Sequence, residues 1–180
     1  MEKKVDSIIR IALVGPESTG KTTLTKELAN YYNTTWVDEY AREYIGNLNR
    51  KYTKNDVEII AQQQLIQEEI AAQKAKNLLF CDTNLLVTKI WCEYTLKEHS
   101  EIINKNYKPD TYRLHLLTDI DIEWQTDPQR EHQNKADREQ LFEAYKKVLE
   151  NNHSPYAIIK GVGKARLENA IEKIEQLISL

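Results

Sequence analysis

The order of the chain predicts an α/β fold with a mainly parallel central sheet. Short apolar, β-branched runs alternate with helical patterns from one end to the other. The strand-like runs are continuously apolar, as expected when both faces of a sheet are covered. The first of them ends in a glycine-bounded loop that opens into a helix. A length of 180 residues predicts one domain, 1–180, able to bury a core without a disulfide or metal staple.

Each element follows from its own pattern. Ile8 to Val14 reads as a buried strand closed by Gly15, and Lys21 to Tyr32 places Leu24, Leu28 and Tyr31 at helical spacing. Thr34 to Val37 predicts a second strand, and Glu39 to Ile45 one or two helical turns stopped near Gly46. Thr53, with Asp56 three residues on, predicts the cap of a helix reaching Ala75. Leu78 to Cys81 is a third strand ending at Asp82; Thr83 or Asn84 then caps a helix expected to run to His99. Tyr112 to Leu117 is the fourth strand. The polar stretch from Asp119 to Lys135 reads as a loop with partial helix. Asp137 to Glu150 is an amphipathic helix, Tyr156 to Ile159 the fifth strand, and Leu167 to Ile178 carries clear helical periodicity.

Composition excludes several classes. With 29% charged and 41% hydrophobic residues the chain is neither disordered nor fibrous. No stretch approaches the roughly 18 consecutive apolar residues of a spanning helix. The 28 acidic against 25 basic residues, without basic blocks, argue against a nucleic-acid partner. The opening residues Met1 to Ser7 do not read as a secretory signal, and Cys81 and Cys92 form no close pair, so a reduced, cytoplasmic protein is expected. His99, His115, His132 and His153 are scattered without metal spacing and read mostly as surface residues.

The strongest chemical signal is Gly15-Pro16-Glu17-Ser18-Thr19-Gly20-Lys21-Thr22, which fits the phosphate-loop pattern between a strand and a helix. The glycines let the backbone curl so that successive N–H groups face a polyphosphate, and the following helix adds its positive end. Residues 15 and 17–23 are therefore expected to hold ATP, with Lys21 reaching the β- and γ-phosphates and the Thr22 hydroxyl ligating Mg²⁺. Asp82, at the carboxyl end of a strand, is the expected second metal ligand, although Asp-Thr-Asn also suits a helix cap.

After the second strand comes an acidic and aromatic cluster. If Glu39 opens a helix, Arg42 and Glu43 fall at i+3 and i+4 on its face. A phosphoryl acceptor needs a carboxylate to orient or deprotonate its hydroxyl, and donors and rings to hold it. Asp38, Glu39, Tyr40 and Arg42 suit those roles, and a solvated, salt-bridged helix explains the same spacing. A lid is expected at about residues 120–137, where Arg130, or Arg138 beyond it, reaches the moving phosphoryl group and Trp124 anchors the loop or touches substrate. Gly161 to Arg166 follows the last strand and suits a nucleotide base, with Lys164 and Arg166 as contacts.

Together these motifs resemble the ribosylnicotinamide kinase domain of the bacterial NadR proteins. The resemblance rests on residues 15–22, on Asn33-Thr34-Thr35 before Glu39-Tyr40-Ala41-Arg42-Glu43, on Asp82-Thr83-Asn84, and on Trp124 through Asp127 to Arg130. It implies a three-layer fold of the P-loop nucleoside and nucleotide kinases, with a five-stranded parallel sheet and a lid. It also implies ATP- and Mg²⁺-dependent phosphorylation of nicotinamide riboside at the 5′-hydroxyl. The chain departs from the bifunctional family members in having no room for an adenylyltransferase domain, in Asp38, where an apolar or aromatic residue is expected, and in Asn84, which replaces a frequent aspartate. The combined expectation assigns Lys21 and Arg130 to the phosphoryl group and Thr22 and Asp82 to the metal. Glu39 or Asp82, with Glu39 favoured, takes the hydroxyl proton, and Asp38, Tyr40, Arg42, Asn84 and Trp124 contact the acceptor. A kinase for another acceptor, or an ATP-binding regulatory module, are the alternatives.

Overall fold

The computed structural model describes residues 8–178, so the reading of Met1 to Ser7 lies outside the described residues. Strands β1 (Ile9–Val14), β2 (Trp36–Val37), β3 (Leu78–Asp82), β4 (Leu114–Thr118) and β5 (Tyr156–Ile159) form one sheet in the order β2-β3-β1-β4-β5. Every neighbouring pair is parallel. The chain moves from the central β1 out to β2, returns to β3, then crosses to β4 and β5. Strand order therefore switches direction around β1, and the carboxyl ends of β1, β3 and β4 border one crevice.

Alternation along the strands divides the core in two. Ile11 and Leu13 of β1, with Phe80 and Leu116, pack under α1 (Lys21–Tyr31) and α7 (Lys164–Ile178). Ala12 and Val14, with Leu79, Cys81 and Leu117, face the opposite layer. That layer holds α3 (Lys54–Ala72), α4 (Leu85–Ile90), α5 (Glu101–Asn106) and α6 (Lys135–Asn151), and short α2 (Tyr40–Gly46) lies against α3. Two apolar faces on one sheet demand two helical covers, which explains the continuous apolar runs. Among the described residues no helix is long and apolar enough to cross a membrane.

Two expectations are corrected, and one histidine departs from the other three. The helix expected to run to His99 stops as α4, passes into a π-helical turn at Trp91–Thr95 and restarts as α5. Lys97 adopts a left-handed φ of 58°, and the Ser100 hydroxyl caps the new helix by accepting the Ile103 N–H at 3.1 Å. The stretch between β4 and α6 contains no helix, because its backbone and side chains bond to the phosphate loop instead. The histidines are mostly at the surface as expected, but His115 is fully buried in β4, and neither of its ring nitrogens is partnered. Burial lowers its pKa to about 4, so it is a neutral core ring beside Tyr112.

The expected cap of α3 forms: Thr53 and Asp56 make a capping box, and buried Asp56 also accepts from Arg50 and Tyr44. This holds the Asp56 carboxyl well below the usual range, chiefly through the Arg50 guanidinium.

Candidate active site

The phosphate loop is shaped by backbone that side chains would obstruct. Gly15 has φ 135°, and a Cβ there would lie 2.7 Å from Thr118 Oγ1 and 2.9 Å from its carbonyl oxygen. Only glycine lets the end of β1 pass so close to the end of β4. Ser18 (φ 56°) and Gly20 (φ 75°) are left-handed, which turns the loop back toward α1. Gly20 caps α1 without any side-chain hydrogen bond, so the first N–H groups of the helix remain for an anion. The Thr19 hydroxyl donates to Pro16 O at 2.8 Å and meets Thr118 Oγ1 at 2.7 Å, stapling the loop to β4.

Lys21 folds over its own loop and donates to Gly15 O at 3.0 Å and Pro16 O at 2.7 Å. Desolvation lowers its pKa, while Glu39 and Asp82 pull the other way.

Asp82 ends β3 in register with Leu13. It is 1% exposed and neither carboxylate oxygen has a hydrogen-bond partner. Burial raises its pKa, and the nearby Thr22 hydroxyl and Lys21 ammonium oppose the rise. The capping role that the Asp-Thr-Asn sequence left open belongs to Asn84, whose side chain accepts the Leu86 N–H at 3.0 Å. Asp82 is thus an orphaned acceptor at the crevice. One buried carboxylate beside a threonine hydroxyl suits Mg²⁺, which uses few protein ligands and completes its shell with phosphate and water.

Glu39 stands at the N-terminal cap position of α2, just after β2, without a side-chain capping bond, and lines the same crevice. Its side chain is 22% exposed, and Arg42 Nε lies 3.7 Å away. Desolvation, reinforced by the Asp82 carboxylate, raises its pKa to about 7. Glu39, Asp82 and Lys21 therefore form one group of mutually interacting charges where strands β1, β2 and β3 end.

The segment between β4 and α6 closes over this group. The Ser18 hydroxyl accepts the Gln125 N–H at 3.0 Å, and Arg130 Nη1 reaches it at 3.3 Å. One Glu17 carboxylate oxygen accepts the N–H groups of Glu131 and His132, both at 3.0 Å. Arg42 Nη1 donates to Asp127 at 2.7 Å, joining α2 to the segment. Trp124 lies outside the cavity, with the guanidinium carbons of Arg130 and Arg138 5.8 and 5.4 Å from its ring centroid.

Two cavities meet at Thr22, Glu39 and Arg42. The first, about 410 Å³, runs from the phosphate loop past Glu39 and Arg130 to Tyr52, Trp91 and Tyr145. The second, about 510 Å³, lies between α1 and α3 and is lined by Asp38, Tyr40 and Asp82. The structure thus gathers Gly15, Glu17, Ser18, Thr19, Gly20, Lys21, Thr22, Thr23, Glu39, Arg42, Arg130 and Arg166 around the first cavity. It does not bring Lys164, Asn84 or Trp124 there. Lys164 is 87% exposed, because it opens α7 facing solvent and pairs with Glu168, and Asn84 is engaged as a cap. Asp38 accepts the Trp36 indole N–H and pairs with Lys26 on the second cavity, behind Glu39.

The sequence reading missed the far wall of the first cavity. Val87, Ile90 and Trp91 follow β3 at i, i+3 and i+4, a spacing that sets all three on one helical face toward the crevice. Tyr52 had no local signal. Its ring meets Trp91 edge-on at 4.8 Å, its hydroxyl accepts the Trp91 indole N–H at 3.0 Å, and it donates to Glu131 at 2.7 Å.

Comparison with known proteins agrees with this geometry. An AAA domain family model matches residues 10–166. The trifunctional NAD biosynthesis/regulator protein NadR of Escherichia coli (strain K12) is 29% identical over 157 residues, covering 83% of this chain and 38% of that protein. The chain spans well under half the length of that relative. A crystal structure of NadR in complex with NR superposes with a TM-score of 0.73 at 20% identity, covering 97% of this chain and 52% of that one. Thymidylate kinase from Ehrlichia chaffeensis superposes with a TM-score of 0.66 at 12% identity, covering 95% and 99%. Strand order, phosphate loop and matched span agree: the chain belongs to the AAA domain family and has the P-loop kinase fold that NadR and thymidylate kinase share.

Proposed function

We infer that the protein is an ATP- and Mg²⁺-dependent small-molecule kinase whose acceptor is nicotinamide riboside, phosphorylated at the 5′-hydroxyl to nicotinamide mononucleotide. The observation that carries the kinase reading is the charge group of Glu39, Asp82 and Lys21 between a phosphate loop and an aromatic half-cavity. The choice of acceptor is supported by the NadR relationship and by the NR-bound NadR structure. The cation-friendly rings of Tyr52, Trp91 and Tyr145, with Glu39 beside them, suit a pyridinium. Buried, unpaired Cys81 and Cys92 fit a reducing, cytoplasmic setting.

In this reading the loop N–H groups and Lys21 hold the ATP phosphates. Lys21 exchanges its bonds to Gly15 O and Pro16 O for phosphate oxygens. Thr22 and Asp82 would hold Mg²⁺, which neutralises charge on the phosphates when bound. Glu39 accepts the proton of the acceptor hydroxyl, for which a pKa of about 7 is well placed. Arg130 adds positive charge at the moving phosphoryl group, and the segment of residues 119–134 acts as a lid that keeps water out.

A panel of acceptors with purified protein and MgATP tests this reading. Phosphorylation of nicotinamide riboside, abolished by Lys21→Ala, is expected. Phosphorylation of thymidine or deoxycytidine with none of nicotinamide riboside would overturn the acceptor. ATP binding without ADP release for any acceptor would instead identify a regulatory module.

A further inference from the structure

Arg166 is 3% exposed, yet it carries a full guanidinium charge from the first turns of α7 to the back of the phosphate loop. All three guanidinium nitrogens are engaged by protein. Nη2 and Nε donate to Thr19 O at 2.9 and 3.3 Å. Nη2 also donates to Asp119 O at 2.8 Å, and Nη1 to Ile159 O and Gly161 O, both at 3.0 Å. Asp121 completes the knot, accepting Nη1 at 3.0 Å and the Gly161 N–H at 2.7 Å. One side chain thus joins the phosphate loop to the turns after β4 and β5. Its donors are all occupied, so the direct base contact expected of Arg166 has no free N–H to make it.

The Thr19–Gly20 peptide gives this knot a consequence. In a trans peptide the carbonyl and the following N–H point in opposite directions. Gly20 sits at φ 75°, ψ 20°, and a glycine tolerates the flipped peptide with little penalty. Two donors on Thr19 O therefore decide which way the Gly20 N–H points. We propose that Arg166 is a positioning residue that holds the Gly20 N–H toward the bound polyphosphate by anchoring the Thr19 carbonyl on the other side. Asp121 in turn fixes the guanidinium. The proposal rests on reading residues 15–22 as a nucleotide phosphate site. If the peptide adopts the competent orientation a tenth of the time, apparent affinity falls about tenfold.

Calorimetric titration of Arg166→Lys and Asp121→Asn with ATP, inorganic tripolyphosphate and adenosine, beside steady-state kinetics, tests it. Lysine keeps the charge but cannot hold Thr19 O and the β4 and β5 turns at once. Expected are an about tenfold or greater loss of affinity for ATP and tripolyphosphate in Arg166→Lys, and a smaller loss in Asp121→Asn. Adenosine binding, acceptor KM and kcat at saturating ATP should stay within about twofold. Unchanged tripolyphosphate affinity in either folded variant would overturn the proposal. Weakened adenosine binding with intact tripolyphosphate binding would restore the base contact and overturn it too. No ATP binding by the unaltered protein would remove the kinase reading itself.

Discussion

Arg42 Nη1 donates to Asp127 at 2.7 Å while its Nε lies 3.7 Å from Glu39, so one guanidinium spans the proposed lid and the proposed base. Arg42 stands on α2 and Asp127 on the segment after β4, which meet nowhere else by charge among the described ion pairs.

That link predicts how the proposed lid fails. Asp127→Ala removes the carboxylate that receives Arg42 and also the turn in which Asp127 Oδ1 accepts the Gln129 N–H. A looser lid admits water. The ratio of ADP released to acceptor phosphorylated should rise above one in the variant and stay near one in the original protein. The exposed pair itself adds little to stability.

Glu39 should set an acidic limb. Its pKa is raised to about 7, so the carboxylate that accepts a proton gains population as pH climbs through that value. kcat/KM for the acceptor should rise with pH over that range. Mg²⁺ beside Asp82 should move the limb to lower pH. Glu39→Gln should reduce kcat by about 10²- to 10⁴-fold and remove the limb. A Glu39→Gln enzyme with near-normal kcat would transfer the role to Asp82.

His115 should limit acid stability. Its folded pKa of about 4 lies below the ordinary 6.5, so the folded state binds fewer protons between those values. Stability from this group is present above pH 6.5 and is lost as pH falls toward 4. Glu68, raised to about 7 by burial, acts in the opposite direction. The comparison between protein and variant isolates the histidine. His115→Leu should raise the melting temperature more at pH 5 than at pH 7.5, as followed by circular dichroism.

Asp56 should matter to α3. Replacing it with alanine removes the capping box and the Arg50 and Tyr44 bonds, at a cost of about 1–3 kcal/mol. Because its folded pKa is depressed, its contribution exists above the ordinary value of 3.8 and is lost as pH falls. Urea melts of the two proteins should differ most at pH 7 and by less at pH 3, where the unfolded carboxyl is already largely protonated while the folded one is still ionised.

Much of the site was legible because its chemistry is local. The phosphate loop needs glycine where φ is positive and a lysine one turn on, and both constraints act within eight residues. The carboxyl ends of the strands were readable from apolar runs, which placed Asp82 and Glu39 at one edge. Asp82 was ambiguous as metal ligand or cap because both roles use the same short acidic motif. Trp91 and Tyr52 were hidden for different reasons: Trp91 sits where an expected straight helix becomes a π-turn, and Tyr52 belongs to a loop without periodicity.

Residue order alone determined the alternation of strands and helices, the parallel sheet and the phosphate loop. Those depend on hydrophobic period and backbone sterics within a few residues. Tertiary structure decided which helix caps on Asn84 and so leaves Asp82 unpartnered, and that Arg130, Glu131 and His132 return to Ser18 and Glu17. It also turned Arg166 from an expected ligand contact into an internal anchor. The physical reason is the same in each case. A guanidinium or a carboxylate in a linear sequence has no partner until folding brings distant carbonyls and N–H groups within about 3 Å, and those partners decide whether its charge is free for chemistry or engaged in holding the site together.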